Sequence, residues 1–178
     1  PTDFPTVGAA EPLLAMLLAR DDVHAVVAEA DGRPIGSNFL WETAPVAGVG
    51  PITVDPAAQD RAAGRRLMEA VLERARERRL PGVRLCQAAY HNRSLALYTR
   101  LGFDAREPLT TLQGPALGRA VAGLPVRPAT AGDVPACNAL HHRLHGFART
   151  RELLDAIDRG TAAVVERDGR ITGYTTGI

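Results

Sequence analysis

One stretch constrains the fold of this chain more than any other. Between residues 60 and 80, apolar side chains recur at Leu67, Met68, Val71, Leu72 and Ala75, and Arg and Glu fill most of the remaining positions. That spacing is one face of a long amphipathic helix, and Pro81-Gly82 stops it. Just ahead, Gly48 to Val54 reads as a strand ended by Asp55-Pro56, followed by Ala57-Ala58-Gln59-Asp60-Arg61-Ala62-Ala63-Gly64. Small side chains let backbone N–H groups approach an anion closely. A helix start leaves about four such groups unpaired and carries roughly half a positive charge. The segment therefore reads as a pyrophosphate cradle, to which Arg61, Arg65 and Arg66 can add charge-assisted bonds. Taken alone, it fits an ordinary strand–helix connection with a solvated basic turn equally well.

Around this stretch the chain alternates between helix and strand patterns. Residues 11–20 read as a short helix with Pro12 in its first turn. Residues 23–30 and 33–42 read as two strands joined by an Asp31-Gly32 turn. Residues 83–89 read as a strand, 92–101 as a helix closed by Gly102, and 103–112 as the start of another strand. From Gln113 to Pro128 the composition turns to Gly, Pro and Ala, and the pattern then restarts. A short strand at 126–130, helices at about 133–145 and 151–159, and strands at 161–167 and 170–178 about an Asp168-Gly169 turn complete the chain.

The restart repeats the beginning. Asp31-Gly32-Arg33-Pro34-Ile35-Gly36 matches Asp168-Gly169-Arg170-Ile171-Thr172-Gly173; a Val-Val pair and a Leu-Leu helix precede each. The expected organisation is a domain at 1–114, a linker at 115–125, and the first half of a second copy at 126–178. The first copy is then short of an opening strand, expected from residues ahead of Pro1. The fold class is α/β (α+β), with a mixed, mostly antiparallel sheet flanked by helices.

Composition narrows the function. A net charge of +1, from 21 basic and 20 acidic residues, excludes a polyanion binder working by bulk charge, so no nucleic-acid partner is expected. All 21 basic residues are Arg, which excludes lysine chemistry on this chain. Cys86 and Cys137 allow at most one disulfide and no cysteine zinc site; reduced thiols in a cytoplasmic protein are the expectation. No run of about 18 apolar residues reads as a membrane span, and the first residues do not read as a signal peptide. His141 and His145 share a helix face, but no carboxylate stands at a matching place, so no metal site is expected. The Arg/Glu run at 73–79 reads as the exposed side of the long helix.

The second informative segment is His91-Asn92-Arg93-Ser94-Leu95-Ala96-Leu97-Tyr98-Thr99-Arg100-Leu101-Gly102-Phe103. Val54, Pro56, Gln59 and Gly64, with Tyr98, Leu101, Gly102 and Phe103, resemble the two motifs of the GNAT superfamily of acetyl-CoA-dependent N-acetyltransferases, and the match resumes at Arg127-Pro128-Ala129-Thr130 and Asp133. Two positions depart from the pattern: Ala62 stands where a Gly is usual, and His91 where an Asn is usual, with Asn92 one residue later. The resemblance implies a GNAT-like fold and acetyl-CoA as the acetyl donor. It implies cofactor contacts from Ile52, Thr53, Val54, Gln59, Asp60, Arg61, Ala62, Ala63, Gly64, Arg65, Asn92 and Tyr98. It also implies direct acetyl transfer to an amine, with Tyr98 protonating the departing thiolate. Glu42, at a strand end after Trp41, is the candidate base; His24 and Asp55 are weaker ones. Trp41 fits an acceptor pocket or core. Cys86 is expected to be a small buried strand residue. The acceptor is a small-molecule or peptide amine, and a homodimer stays open. The competing readings are a non-catalytic acyl-CoA-binding or regulatory relative, and an interaction module.

Overall fold

The computed structural model describes residues 6–177 apart from 60, 113, 116, 117 and 120, and not the side chains of Val7 and Ala9. It resolves into two compact units, Pro1–Asp104 and Ala105–Ile178.

The first unit opens with α1 (Val7–Leu18). This helix starts earlier than the sequence suggests, so Pro12 lies inside it rather than in its first turn. Strands β1 (Val23–Ala30) and β2 (Arg33–Trp41) form an antiparallel hairpin. Asp31 and Gly32 turn it with φ of 51° and 73°, the left-handed pair that a two-residue hairpin of this twist requires.

The strand expected over Gly48–Val54 is two strands, β3 (Val46–Val49) and β4 (Thr53–Val54). Pro51 has no N–H to give a ladder, and Gly50 takes a φ of +126° that other residues avoid. The register against β2 slips by one residue between Leu40↔Val49 and Ser37↔Thr53, so Gly50–Ile52 form a bulge. Two hydrogen bonds hold it: Gly50 N–H to the Phe39 carbonyl at 2.9 Å, and Trp41 Nε1–H to the Gly50 carbonyl at 2.6 Å. Trp41 is thus half-buried and fastens the bulge.

Helix α2 (Ala63–Glu77) follows a short 3₁₀ turn at Pro56–Ala58. It packs on β1 and β2, burying Leu67, Met68, Val71 and Ala75, with each of the three larger side chains worth roughly 1.5–3 kcal/mol. Buried Asn38 on β2 donates to the Leu67 carbonyl at 3.3 Å, which joins strand to helix. After α2 come β5 (Gly82–Arg84) and α3 (Asn92–Arg100). The sheet is mostly antiparallel: β5 joins β3 in parallel, and β4 pairs β2. Strand β5 stops well before Ala89, and Cys86 beyond it is exposed, which corrects the expected buried strand residue. Residues 103–112 form no strand.

The second unit carries β6 (Val126–Pro128), α4 (Val134–His145), α5 (Thr150–Asp158), β7 (Ala163–Arg167) and β8 (Arg170–Thr175). Its sheet runs β6-β7-β8, all antiparallel. Cys137, Leu153, Ala156 and Val164 form its core. Arg127 ties the unit together: it holds Asp133 at 2.8 Å and Glu166 at 2.5 Å. His141 donates Nδ1–H to the Phe147 carbonyl at 2.7 Å and stacks against His145.

Candidate functional site

The site is built where β4, α2 and α3 meet. In the β2–β4 ladder Asp55 N–H bonds the Ile35 carbonyl at 2.8 Å. Antiparallel alternation then gives Thr53 to Ser37 and turns the backbone groups of Val54 away from β2. Thr53 is committed inward through its side chain as well, with its hydroxyl 3.0 Å from that of Ser37. Of the expected Ile52–Val54 trio, Thr53 therefore does not present its backbone to the open side. The outward edge of β4 has no partner strand among the described residues, so it can accept an extended chain.

At the start of α2, Ala62 adopts φ 62°, ψ 8°. This is the left-handed region, and it explains why a glycine is usual here: the backbone must reverse to bring the next amides to the loop. The Arg66 N–H bonds the Ala62 carbonyl at 3.0 Å, opening the helical ladder. The amides of Ala63, Gly64 and Arg65 make no hydrogen bond among the described residues. No acidic residue stands in the first turn of α2, the end at which a helix dipole favours an anion. Arg61, Arg65 and Arg66 are exposed around it. Arg65 also holds Glu69 at 2.8 Å, an exposed pair that a phosphate can displace at little cost. Asp60 lies outside the described residues.

Two contacts bring the loop and the later motif together. Arg93 Nη1 lies 3.5 Å from Gln59 Oε1. A Cβ on Gly64 would stand 3.6 Å from Val54 Cγ2 and 4.0 Å from Leu97 Cδ2, so the three elements meet with room for about one methyl. Arg93, which sequence reasoning missed, makes the bridge from the first turn of α3. Asn92 opens that helix with an exposed side chain. Tyr98, one residue past Leu97, is buried and packs 6.0 Å from the Phe103 ring. Burial raises its pKa, and a hydrogen bond with Ser94 opposes the rise. The phenol therefore stays protonated through neutral pH, as a proton donor must.

Glu42 is placed differently. Its two carboxylate oxygens take Arg74 Nε at 2.7 Å and Arg78 Nε at 3.2 Å, tying the end of β2 to the last turns of α2. The structure thus places Glu42, the expected base, in an ion-pair tie with Arg74 and Arg78. The second residue missed was Gly36. Its Cβ would meet the Thr53 carbonyl at 2.5 Å, so glycine is what lets β4 lie against β2. No described helix is long and apolar enough to cross a membrane.

The acetyltransferase (GNAT) family profile matches residues 2–103. That is more than half of the chain, which therefore belongs to this family. The fold agrees. The aminoglycoside acetyltransferase AAC(6')-Iy, solved with a CoA bisubstrate analogue, aligns with 64% of this chain and 84% of its own at 19% identity and a TM-score of 0.54. The aminoglycoside 6'-N-acetyltransferase AAC(6')-IG of Acinetobacter haemolyticus aligns with 64% and 85% at 20% identity and 0.53. The ribosomal-protein-S18-alanine N-acetyltransferase of Escherichia coli aligns with 59% and 65% at 23% identity and 0.53. At these identities the likeness establishes the fold. No curated protein matches the chain by sequence.

Proposed function

We propose that this chain moves an acetyl group from acetyl-CoA to a primary amine by direct transfer. The observation that carries the reading is the start of α2, where the amides of Ala63, Gly64 and Arg65 make no hydrogen bond among the described residues, beside a β4 edge that has no partner strand among them. The diphosphate sits on those amides, with Arg61, Arg65 and Gln59 around it, and the pantetheine arm runs along Ile52 and Val54, near Asn92. The Val54 N–H, turned outward, polarises the thioester carbonyl. The amine nitrogen attacks the carbonyl carbon, a C–N bond forms, and the C–S bond breaks. The amine proton leaves through water, and Tyr98 gives its proton to the departing thiolate. No covalent enzyme intermediate is needed, so exposed Cys86 takes no part.

The acceptor is a small-molecule or peptide amine; solved relatives act on aminoglycosides and on a ribosomal-protein alanine. We read residues 126–178 as a partial second copy after a 115–125 linker, supported by the repeated Asp-Gly hairpin. The cytoplasm, where thiols stay reduced, suits two free cysteines. A non-catalytic acyl-CoA binder is the second reading, favoured by Ala62 in a glycine conformation.

A thiol-release assay with acetyl-CoA over a panel of amines tests the proposal. Tyr98→Phe should lower kcat about a hundredfold with KM for acetyl-CoA little changed. Gly64→Val should chiefly raise that KM, because its extra carbons wedge Val54 from Leu97. Binding without turnover on every amine would support the second reading. Unaltered kinetics in both variants would remove the site assignment.

A further inference from the structure

Helix α4 ends at Gly146, whose φ of +83° turns the chain back on itself. Three hydrogen bonds pin the following loop to the helix. The Phe147 carbonyl takes Nδ1–H of buried His141 at 2.7 Å. The Asn138 side chain accepts the Arg149 N–H at 3.0 Å and donates to the Thr150 hydroxyl at 2.7 Å. The backbone of Arg149 is thereby anchored to α4. One turn after His141 stands His145, its ring 4.5 Å from the first.

Between this corner and β8 lies a cavity of about 380 Å³, wholly within the second unit. That volume suits a small ligand. Leu140 and Leu144 line its apolar side, and His141, His145, Arg149 and Tyr174 its polar one. Tyr174 stands opposite Val164 in the β7–β8 ladder and packs against the core. Its hydroxyl oxygen is buried and makes no hydrogen bond among the described residues. A buried polar atom without a partner calls for one. Burial raises the Tyr174 pKa, so the phenol keeps its proton at neutral pH and can donate it. Arg149 sets a permanent positive charge near that hydroxyl. The nearby carboxylate, Glu152, is itself held by Arg149 Nε. Among the described residues no carboxylate lines the cavity. The lining therefore offers donors and positive charge on one side and leucine surface on the other.

We propose that this cavity binds a small organic acid, its carboxylate taking the Tyr174 O–H and the Arg149 guanidinium and its apolar part lying against Leu140 and Leu144. Charge-assisted bonds to the carboxylate give the orientation, and the leucines select for an apolar body. The proposal does not rest on the acetyltransferase reading, and its test needs neither acetyl-CoA nor turnover.

The probe is benzoate, titrated into the whole chain and followed by NMR, beside uncharged benzamide and inorganic phosphate. Saturable shifts are expected at Arg149 and Tyr174 with benzoate, and benzamide should bind at least about tenfold more weakly. Tyr174→Phe should weaken benzoate binding about tenfold. The same variant, without benzoate, should keep or raise the urea midpoint, because the hydroxyl it removes has no partner to lose. Arg149→Gln, whose folding far-UV circular dichroism can check, should weaken binding by at least as much. Absence of saturable shifts, equal binding of benzamide, or unchanged affinity in either variant would overturn the proposal. A lowered midpoint in Tyr174→Phe would also overturn it, by showing that the hydroxyl already has a partner. Phosphate binding as tightly as benzoate would overturn the assignment to an organic acid.

Discussion

Ala62 holds a backbone conformation that a Cβ disfavours, at the turn on which the whole site depends. An L-residue there costs roughly 1–2 kcal/mol relative to glycine. Ala62→Gly should therefore stabilise the fold by about 1 kcal/mol, read as a higher urea midpoint at unchanged slope; no gain would mean that the turn relaxes in solution. Tyr98 works in the opposite sense. Its raised pKa means that the folded state keeps the phenolic proton, so the stability tied to that proton is present below about pH 10 and is lost as pH rises through the raised value. Glu42 shows where residue-level reading stops. A strand-end carboxylate is legible in the sequence, whereas its capture by Arg74 and Arg78 depends on how α2 lies over β2.

The elements were legible where periodicity is strong. The hairpin of β1 and β2 is announced by Asp31-Gly32, and α2 by its apolar stripe. The split of one expected strand into β3 and β4 was not, because a bulge leaves no periodic signature. Gly50-Pro51 and Trp41 hold its cause, but only the register shows the slip. Nor does spacing reveal that Gly36 must lack a side chain. Gly36→Ala should push β4 from β2, destabilise by about 1–3 kcal/mol and raise KM for acetyl-CoA. Denaturant unfolding and steady-state kinetics on one sample check both. An unchanged KM would mean that β4 does not position the cofactor.

At the scale of the chain, two compact units meet in sequence at Asp104 and Ala105, and residues 103–112 add no strand to the first sheet. The second unit depends on Asp133. Arg127 and the Thr130 amide hold its carboxyl well below the ordinary value. A depressed folded pKa contributes stability above the unfolded value, near 4, and loses it as pH falls through the folded one. Asp133→Asn should destabilise β6–β8 at pH 7 and flatten their acid dependence below about pH 4. Hydrogen exchange in residues 126–175 reads this out, and a variant with the parent's acid profile would count against the tie.

On the proposed reading, amides at the opening of α2 take the diphosphate of acetyl-CoA. Amide NMR during a titration with CoA tests it most directly. Saturable shifts are expected at Ala63, Gly64 and Arg65, reproduced by 3',5'-ADP and absent with pantetheine alone. Saturable CoA binding that leaves those three amides unmoved would contradict it.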